Sequence, residues 1–166
     1  MTGSSCCPAD RSAGTIAVAA RLLVAAAVPM ATMSAAACAG PTSGLTDYQH
    51  KAANSAEAMA SEVQTALLTG QLVLDRRVQQ DYAATTASNI DDDASSVQQT
   101  FDSRQPPDSA AADALRDRLD TAMTDATSAI SDMRIAIRRG SDSDIRAAVR
   151  SLMKALKLLQ RLQSVA

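Results

Sequence analysis

The sequence is poor in the residues that most folds other than helical ones require. It has no Trp, one Phe and two Tyr among 166 residues, with only six Gly and five Pro. A sandwich of many short strands would need more turn residues and more aromatic and β-branched side chains, and collagen-like or Pro-rich chains are excluded. Alanine, in contrast, occurs 35 times. Because alanine favours the helix most, the composition predicts an all-α chain, and its length predicts one domain.

The N-terminal part of the chain predicts an export signal. Residues 22–37 read LLVAAAVPMATMSAAA and carry no charge, and Arg11 and Arg21 precede them. This run is shorter than the about 20 residues of a membrane-spanning helix, but it suits the apolar region of a secretory signal. Pro29 would interrupt a buried helix midway, which disfavours a core helix of a cytosolic protein. We therefore expect residues 1–37 to be a signal peptide.

The end of this segment offers two cleavage sites. Ala35-Ala36-Ala37-Cys38 resembles the lipobox of bacterial lipoproteins, in which small residues precede an obligatory cysteine. The resemblance implies a lipoprotein signal, cleavage before Cys38, and anchoring by acyl chains such as palmitate at the extracytoplasmic face of the cell membrane. The alternatives are cleavage before Gly40, after the A-x-A pattern of residues 37–39, which would secrete a soluble protein, and an uncleaved anchor. More broadly, the chain resembles small alanine-rich lipoproteins of high-GC bacteria, which implies a location and no activity.

Cysteine usage agrees with export. Cys6 and Cys7 lie in the predicted signal peptide, so the mature chain would contain Cys38 alone. No intramolecular disulfide is then possible, and acylation would remove a free thiol in an oxidising compartment. Two or more acyl chains, at about 0.8 kcal/mol per buried methylene, would anchor the protein stably, whereas one chain would be marginal.

The mature chain is predicted to contain a flexible tether, residues 38–44, and a four-helix bundle, residues 45–166. In the first helix, apolar residues recur at steps of three and four, the spacing of one helix face. Thr46 opens a capping-box pattern at its start. Gly70 is expected to end this helix, and the second helix is expected to begin near Gln71.

The second helix is weaker in its middle, where modest helix formers predict a kink or frayed stretch near Asn89. Pro106-Pro107 is expected to end it, and Asp108 to cap the next helix. The apolar stripe of the second helix is predicted to contain Leu74, Val78, Tyr82, Ile90 and Phe101.

The third and fourth helices show the clearest signals. Apolar residues follow one face over residues 115–137 and again over 145–159. Gly140 is predicted to end the third helix and Ser141 to cap the fourth. Because the connections are short, neighbouring helices are expected to be antiparallel, which predicts an up-down-up-down four-helix bundle. The alternative is an elongated pair of helical hairpins that dimerises to complete its core.

The sequence lacks the side-chain sets of common catalytic and metal sites. His50 is the only histidine and has no Glu-x-x-His context, and Glu57 and Glu62 are the only glutamates of the mature chain. Di-iron sites and Ser–His–Asp triads are therefore disfavoured, and no Gly-x-Ser-x-Gly or phosphate-binding glycine loop occurs. Asp91-Asp92-Asp93 cannot converge on one ion from a helix. We predict no enzyme activity, no metal and no cofactor.

Charge is distributed unevenly. Between Arg134 and Arg161 there are eight basic residues and two acids. Five of the basic residues recur at steps of four, four, three and four, which predicts one basic line beside the apolar stripe: Arg146, Arg150, Lys154, Lys157 and Arg161. Lys157 and Arg161 are expected to pass Asp113 and Asp117 of the third helix and to pair with them.

Seven arginines are predicted to gather toward the bundle end that points away from the membrane. This possible partner-binding set contains Arg76, Arg77, Arg134, Arg138, Arg139, Arg146 and Arg150. The partner would be an acidic envelope polymer or protein. Nucleic acid is disfavoured because the protein is exported, has a sequence pI of 5.3 and places no aromatic residues among these arginines.

These patterns predict a non-enzymatic, membrane-anchored lipoprotein of the cell envelope that acts as an interaction or accessory module. The alternatives are a binding protein for a small apolar ligand, held between alanine-lined helices, and a soluble secreted helical protein. A pocket of several hundred cubic ångströms would favour the ligand, and a closed core would favour the interaction module. The sequence leaves the oligomeric state open.

Overall fold

The computed structural model describes residues 44–164, which form four α-helices joined by short turns. The helices are α1, Leu45–Leu74; α2, Gln80–Asp102; α3, Ala110–Arg139; and α4, Asp142–Gln163. Each helix packs against its neighbours in the order α1, α2, α3, α4 and back to α1. The predicted all-α four-helix bundle is confirmed. The predicted signal peptide and residues 38–43 of the predicted tether lie outside the described residues.

The two longest helices, α1 and α3, meet across the centre of the bundle, whereas α2 and α4 make no contact with each other in the described part of the chain. Alanine makes this close packing of α1 against α3 possible, because the distance between packed helices depends on the size of the side chains between them. Buried alanines of α1 and α3 alternate with a few large side chains, which include Met59, Val63, Met123, Ile130 and Met133. The bundle therefore has a flattened cross-section with α2 and α4 at its two outer corners.

The first helix is longer than its sequence predicts. Gly70 does not end α1, which continues to Leu74 before a turn in which Arg76 adopts a φ of 56°. Gly70 is buried, and a Cβ atom there would lie 2.5 Å from Met133 Cε on α3. A glycine at this position thus permits a close approach of α1 and α3. The capping box is also wrong: Gly44 precedes the helix, and no side chain caps it.

The second helix begins at Gln80 rather than near Gln71. Of its expected apolar stripe, Leu74 lies in α1, Val78 lies in the preceding turn, and Tyr82 is 68% exposed. The expected kink near Asn89 does not occur, since α2 runs unbroken to Asp102. In this stretch two threonine hydroxyls donate to backbone carbonyl oxygens one turn back, Thr85 to Asp81 and Thr86 to Tyr82, each at 3.0 Å. The hydroxyls thus find partners within the helix and do not break it.

The caps of the last two helices follow the sequence more closely. Ser109, rather than Asp108, caps α3 by accepting a hydrogen bond from the Ala112 amide at 3.2 Å. Gly140 ends α3 in the left-handed region with φ of 65°, and Ser141 caps α4 by accepting from the Asp144 amide, as predicted.

Candidate functional site

The turn between α1 and α2 and the turn between α3 and α4 meet at one end of the bundle. Arg76 Nη2 lies 2.8 Å from Asp142 Oδ2, which joins the two turns. Gln80 Nε2 also donates to the carbonyl oxygen of Ile137 at 3.2 Å. These contacts place the arginines of both turns at the same end, as the predicted topology requires.

Three arginines at this end are exposed and form the basic tip: Arg77, Arg138 and Arg139. Within residues 44–164 none of them makes an ion pair. Arg138 and Arg139 occupy the last turn of α3, where the helix dipole favours positive charge. Arg76 is partly neutralised by Asp142, although such an exposed pair adds little stability. The tip therefore presents three cations that form no ion pair in the described bundle, although the carboxylates of Asp75 and Asp144 lie at the same end.

Arg134 of the predicted set does not belong to the tip. It lies on the side of the bundle, where its Nε atom is 3.1 Å from Asp91 Oδ2 of α2. Both side chains are largely covered, at 27% and 22% exposure. The Nε–H group does not point at the carboxylate, so the contact is an ion pair without a hydrogen bond. Its role in the structure is to join α3 to α2.

Arg146 and Arg150 lie on α4 instead, where they begin the predicted basic line. The five side chains of this line are all exposed and follow the outward face of α4 over about 22 Å, at 1.5 Å per residue. We call this surface the basic stripe: Arg146, Arg150, Lys154, Lys157 and Arg161. None of the ion pairs among the described residues includes a member of it.

The expected pairing of Lys157 and Arg161 with Asp113 and Asp117 is wrong. Only a short turn connects α3 to α4, so Lys157 lies level with Asp125 and lines the same groove. Asp113 and Asp117 belong to the first turns of α3, beyond the level that Lys157 reaches. The basic stripe thus forms no ion pair in the described residues, although Asp125 and Asp132 of α3 line the groove beside it.

The opposite side of the bundle carries the opposite charge. α2 contains five aspartates and no basic residue, whereas α4 contains five basic residues and two aspartates. Because α2 and α4 occupy opposite corners, the charge is polarised across the width of the bundle. The stripe lies away from the acidic α2 side.

A groove of about 480 Å³ runs along the outside of the bundle between α3 and α4. Its floor includes Ala129, Ala155 and Leu158, and its rims carry Asp125 on α3 and Lys154 on α4. A second groove of about 260 Å³ continues it toward the tip and shares Asp132 and Ser151 with it. Both grooves are open to solvent and have charged rims, so the space lies at the surface between α3 and α4 rather than inside the core.

A cluster at the other end of the bundle was missed by the sequence patterns. The Arg116 guanidinium lies 5.7 Å from the centre of the buried Phe101 ring and donates to the carbonyl oxygens of Asp102 and Arg104. Arg104 donates in turn to the carbonyl oxygen of Lys51 at 3.1 Å. These bonds fasten the end of α2 and its loop to α3, through Arg116, and to α1, through Arg104. No sequence spacing marks an arginine that binds backbone carbonyls of other helices.

Tyr48 lies in the same cluster with its ring fully buried and its hydroxyl without a hydrogen-bond partner in the described residues. Burial raises the pKa of this phenol above its ordinary value of 10.0, and the nearby Arg116 charge opposes the shift. The folded state therefore holds the neutral phenol at a pH where the unfolded chain already ionises. We expect the free energy of unfolding to fall as the pH rises above about 10.

Tyr48→Phe is expected to remove this part of the alkaline loss. At neutral pH the variant should differ from the wild type by less than about 1 kcal/mol, since the hydroxyl has no partner with hydrogen-bond geometry in the described residues and only the Arg116 guanidinium nearby. Urea unfolding over a series of pH values measures both effects. Tyr82→Phe, which removes the same hydroxyl at an exposed position, is the matched control. An equal alkaline loss in Tyr48→Phe and the wild type would contradict the assignment.

Other polar groups show no assembled reaction site in residues 44–164. His50 is exposed on the second turn of α1. Burial, and then the charge of Asp93, raise the pKa of Glu62 where α1 faces α2. These described residues contain no cluster of His, Cys, Asp and Glu suited to a metal ion, and none of their helices has a long enough apolar stretch to cross a membrane.

The geometry defines an all-α, antiparallel four-helix bundle with a basic tip and a basic stripe. No protein-family model, curated protein or solved structure matches the chain significantly.

Proposed function

We propose that the protein is a non-enzymatic lipoprotein of the cell envelope, anchored through acylated Cys38, which binds an acidic envelope polymer or protein through its basic tip. The observation that carries the proposal is the tip itself. Three exposed guanidinium groups, one from the α1–α2 turn and two from the last turn of α3, lie at the same end of the bundle, and no described acid pairs with them. Complementary charge favours encounter with an acidic partner and discriminates against basic ones.

The topology supports an anchored arrangement. α1 begins at Leu45, at the end of the bundle opposite the tip. The hydrogen bond from Arg104 of the α2–α3 loop to Lys51 places the start of α1 beside that loop. A lipid anchor at Cys38 would hold this opposite end near the membrane. The tip would then be the part of the bundle most accessible to other envelope components. The anchor itself rests on the lipobox resemblance.

The double variant Arg138→Glu, Arg139→Glu is expected to reduce capture of acidic cell-wall material by about tenfold, equivalent to about 1.4 kcal/mol. The reason is that two attractive charges become repulsive at the proposed contact. The measurement is a pull-down from solubilised cell-wall material, quantified at several salt concentrations, because the wild-type interaction should weaken as salt screens it.

The matched control is Lys154→Glu, Arg161→Glu, which changes the net charge equally on the basic stripe. We expect it to retain capture, because it leaves the tip unaltered. Unchanged capture by the tip variant would refute the tip as the binding surface, and equal losses in the two variants would show that only the overall charge matters.

A further inference from the structure

The basic stripe is a second charged surface that the proposed tip does not use. Its five side chains point outward from α4, and no acid interrupts their line. The two aspartates of α4 lie in its first turn, and one of them, Asp142, is bound to Arg76. The stripe is therefore a continuous row of cations along the side of the bundle.

An exposed methionine lies within this row of charges. Met153 is 49% exposed and is one of four large hydrophobic side chains that are exposed in residues 44–164. It precedes Lys154 in the chain, and the partly covered Leu158 lines the groove beside Lys154 and Lys157. Lipid headgroup regions accept cations together with apolar side chains, because the long basic side chains keep their charges at the surface. A soluble polyanion would use the cations alone.

The opposite side of the bundle determines which way it would face a negative surface. α2 has five aspartates and no basic residue, and it lies at the corner opposite α4. A negatively charged surface attracts the α4 side and repels the α2 side. Between the two sides, this charge difference favours an orientation in which the bundle lies on its side with α4 downward.

We propose that the basic stripe docks the bundle sideways on an anionic lipid surface, with Met153 in the headgroup region and the α2 side turned away. The inference rests on the proposed function for its location, since the lipid anchor would hold the bundle at a membrane. Six residue-to-residue steps separate Cys38 from Gly44, a reach of at most about 20 Å, which keeps the stripe within contact distance of that membrane. The tip stays exposed at the free end of the docked bundle.

The chain contains its own reporters for this orientation. It has three lysines: Lys154 and Lys157 lie in the stripe, whereas Lys51 lies on α1. The full chain is bound to vesicles of phosphatidylcholine alone or with phosphatidylglycerol and treated with an uncharged acetylating reagent. Mass spectrometry then gives the rate at each lysine. On anionic vesicles Lys154 and Lys157 should react about tenfold more slowly than on neutral ones, and Lys51 should be unchanged.

Two variants with equal loss of charge separate the stripe from the tip. Arg146→Gln, Arg150→Gln, Arg161→Gln keeps both reporter lysines and should abolish their protection on anionic vesicles. Arg77→Gln, Arg138→Gln, Arg139→Gln should retain it. These residues are exposed, and glutamine is a good helix former, so the fold should persist. Equal reactivity of Lys154 on both vesicle types would overturn the proposal.

Two further arms identify the cause of any failure. If soluble polyphosphate, but not anionic vesicles, protects Lys154 and Lys157, the stripe binds a polyanion and the lipid proposal is refuted. The mass of the N-terminal peptide in the same samples reports acylation of Cys38. Lysine protection without acylation would uphold docking and refute the anchor, whereas acylation without protection would uphold the anchor and refute docking.

Discussion

Gly70→Leu is expected to destabilise the bundle by about 2 kcal/mol. A Cβ atom at this position would lie 2.5 Å from Met133 Cε and 2.9 Å from Met133 Sδ, and the remainder of a leucine would meet Ile145. Overpacking of such a site costs about 3 kcal/mol, and the better helix propensity of leucine offsets about 1 kcal/mol of it. Urea unfolding of the full chain, with a two-state analysis, measures the difference.

A double-mutant cycle tests the physical cause. Met133→Ala removes the atoms that a side chain at position 70 would strike, so Gly70→Leu should cost less in that background than alone. We expect a coupling free energy of about 1 kcal/mol or more, which is typical of residues in direct contact. Leu152→Ala, elsewhere in the core, is the matched control and should show no coupling with Gly70→Leu.

The competing explanation makes a different prediction. If Gly70 ended a helix in the left-handed region, any substitution at position 70 would strain the backbone to a similar degree, whichever residue stood at position 133. Gly70→Ala would then cost about as much as Gly70→Leu, and neither would couple to Met133. The structure instead predicts that Gly70→Ala is far milder, because the flexible end of Met133 can move away from one added methyl group.

Gly70 also shows where sequence patterns fail for this fold. Gly70 and Gly140 each come after a series of apolar residues on one helix face, so the sequence predicts a helix end at both. Gly140 ends α3 as predicted, since its conformation and the Ser141 cap are local properties. The role of Gly70 depends on Met133, 63 positions away in the chain, so no local pattern reveals it.

The candidate surfaces divide in the same way. Periodicity within one helix predicts the basic stripe, and the up-down topology alone predicts that the two turns with basic residues lie at the same end of the bundle. In contrast, the pairing of Arg134 with Asp91 and the bonds of Arg116 to backbone carbonyls depend on the register of different helices. Register is determined by core packing, which a charge pattern does not encode. The wrong expectation for Lys157 has the same cause.

Cys38→Ser is expected to eliminate acylation and remove the protein from the membrane fraction. Serine cannot form the thioether of a lipidated N-terminus, and without two acyl chains the remaining membrane affinity is marginal. The A-x-A pattern of residues 37–39 survives the substitution, so cleavage before Gly40 should release the chain. Cell fractionation and mass spectrometry of the N-terminal peptide measure both outcomes.

The signal segment supplies a matched control for this variant. Cys6→Ser, Cys7→Ser makes the same chemical change at residues that are predicted to be removed, so it should leave both acylation and fractionation unchanged. A wild-type N-terminus at Gly40 would instead establish a secreted protein. A Cys38→Ser chain retained in the membrane at its full uncleaved mass would establish a signal that anchors without cleavage. Each result is read from one peptide mass, so the three localisations are distinguished independently of what the tip or the stripe binds.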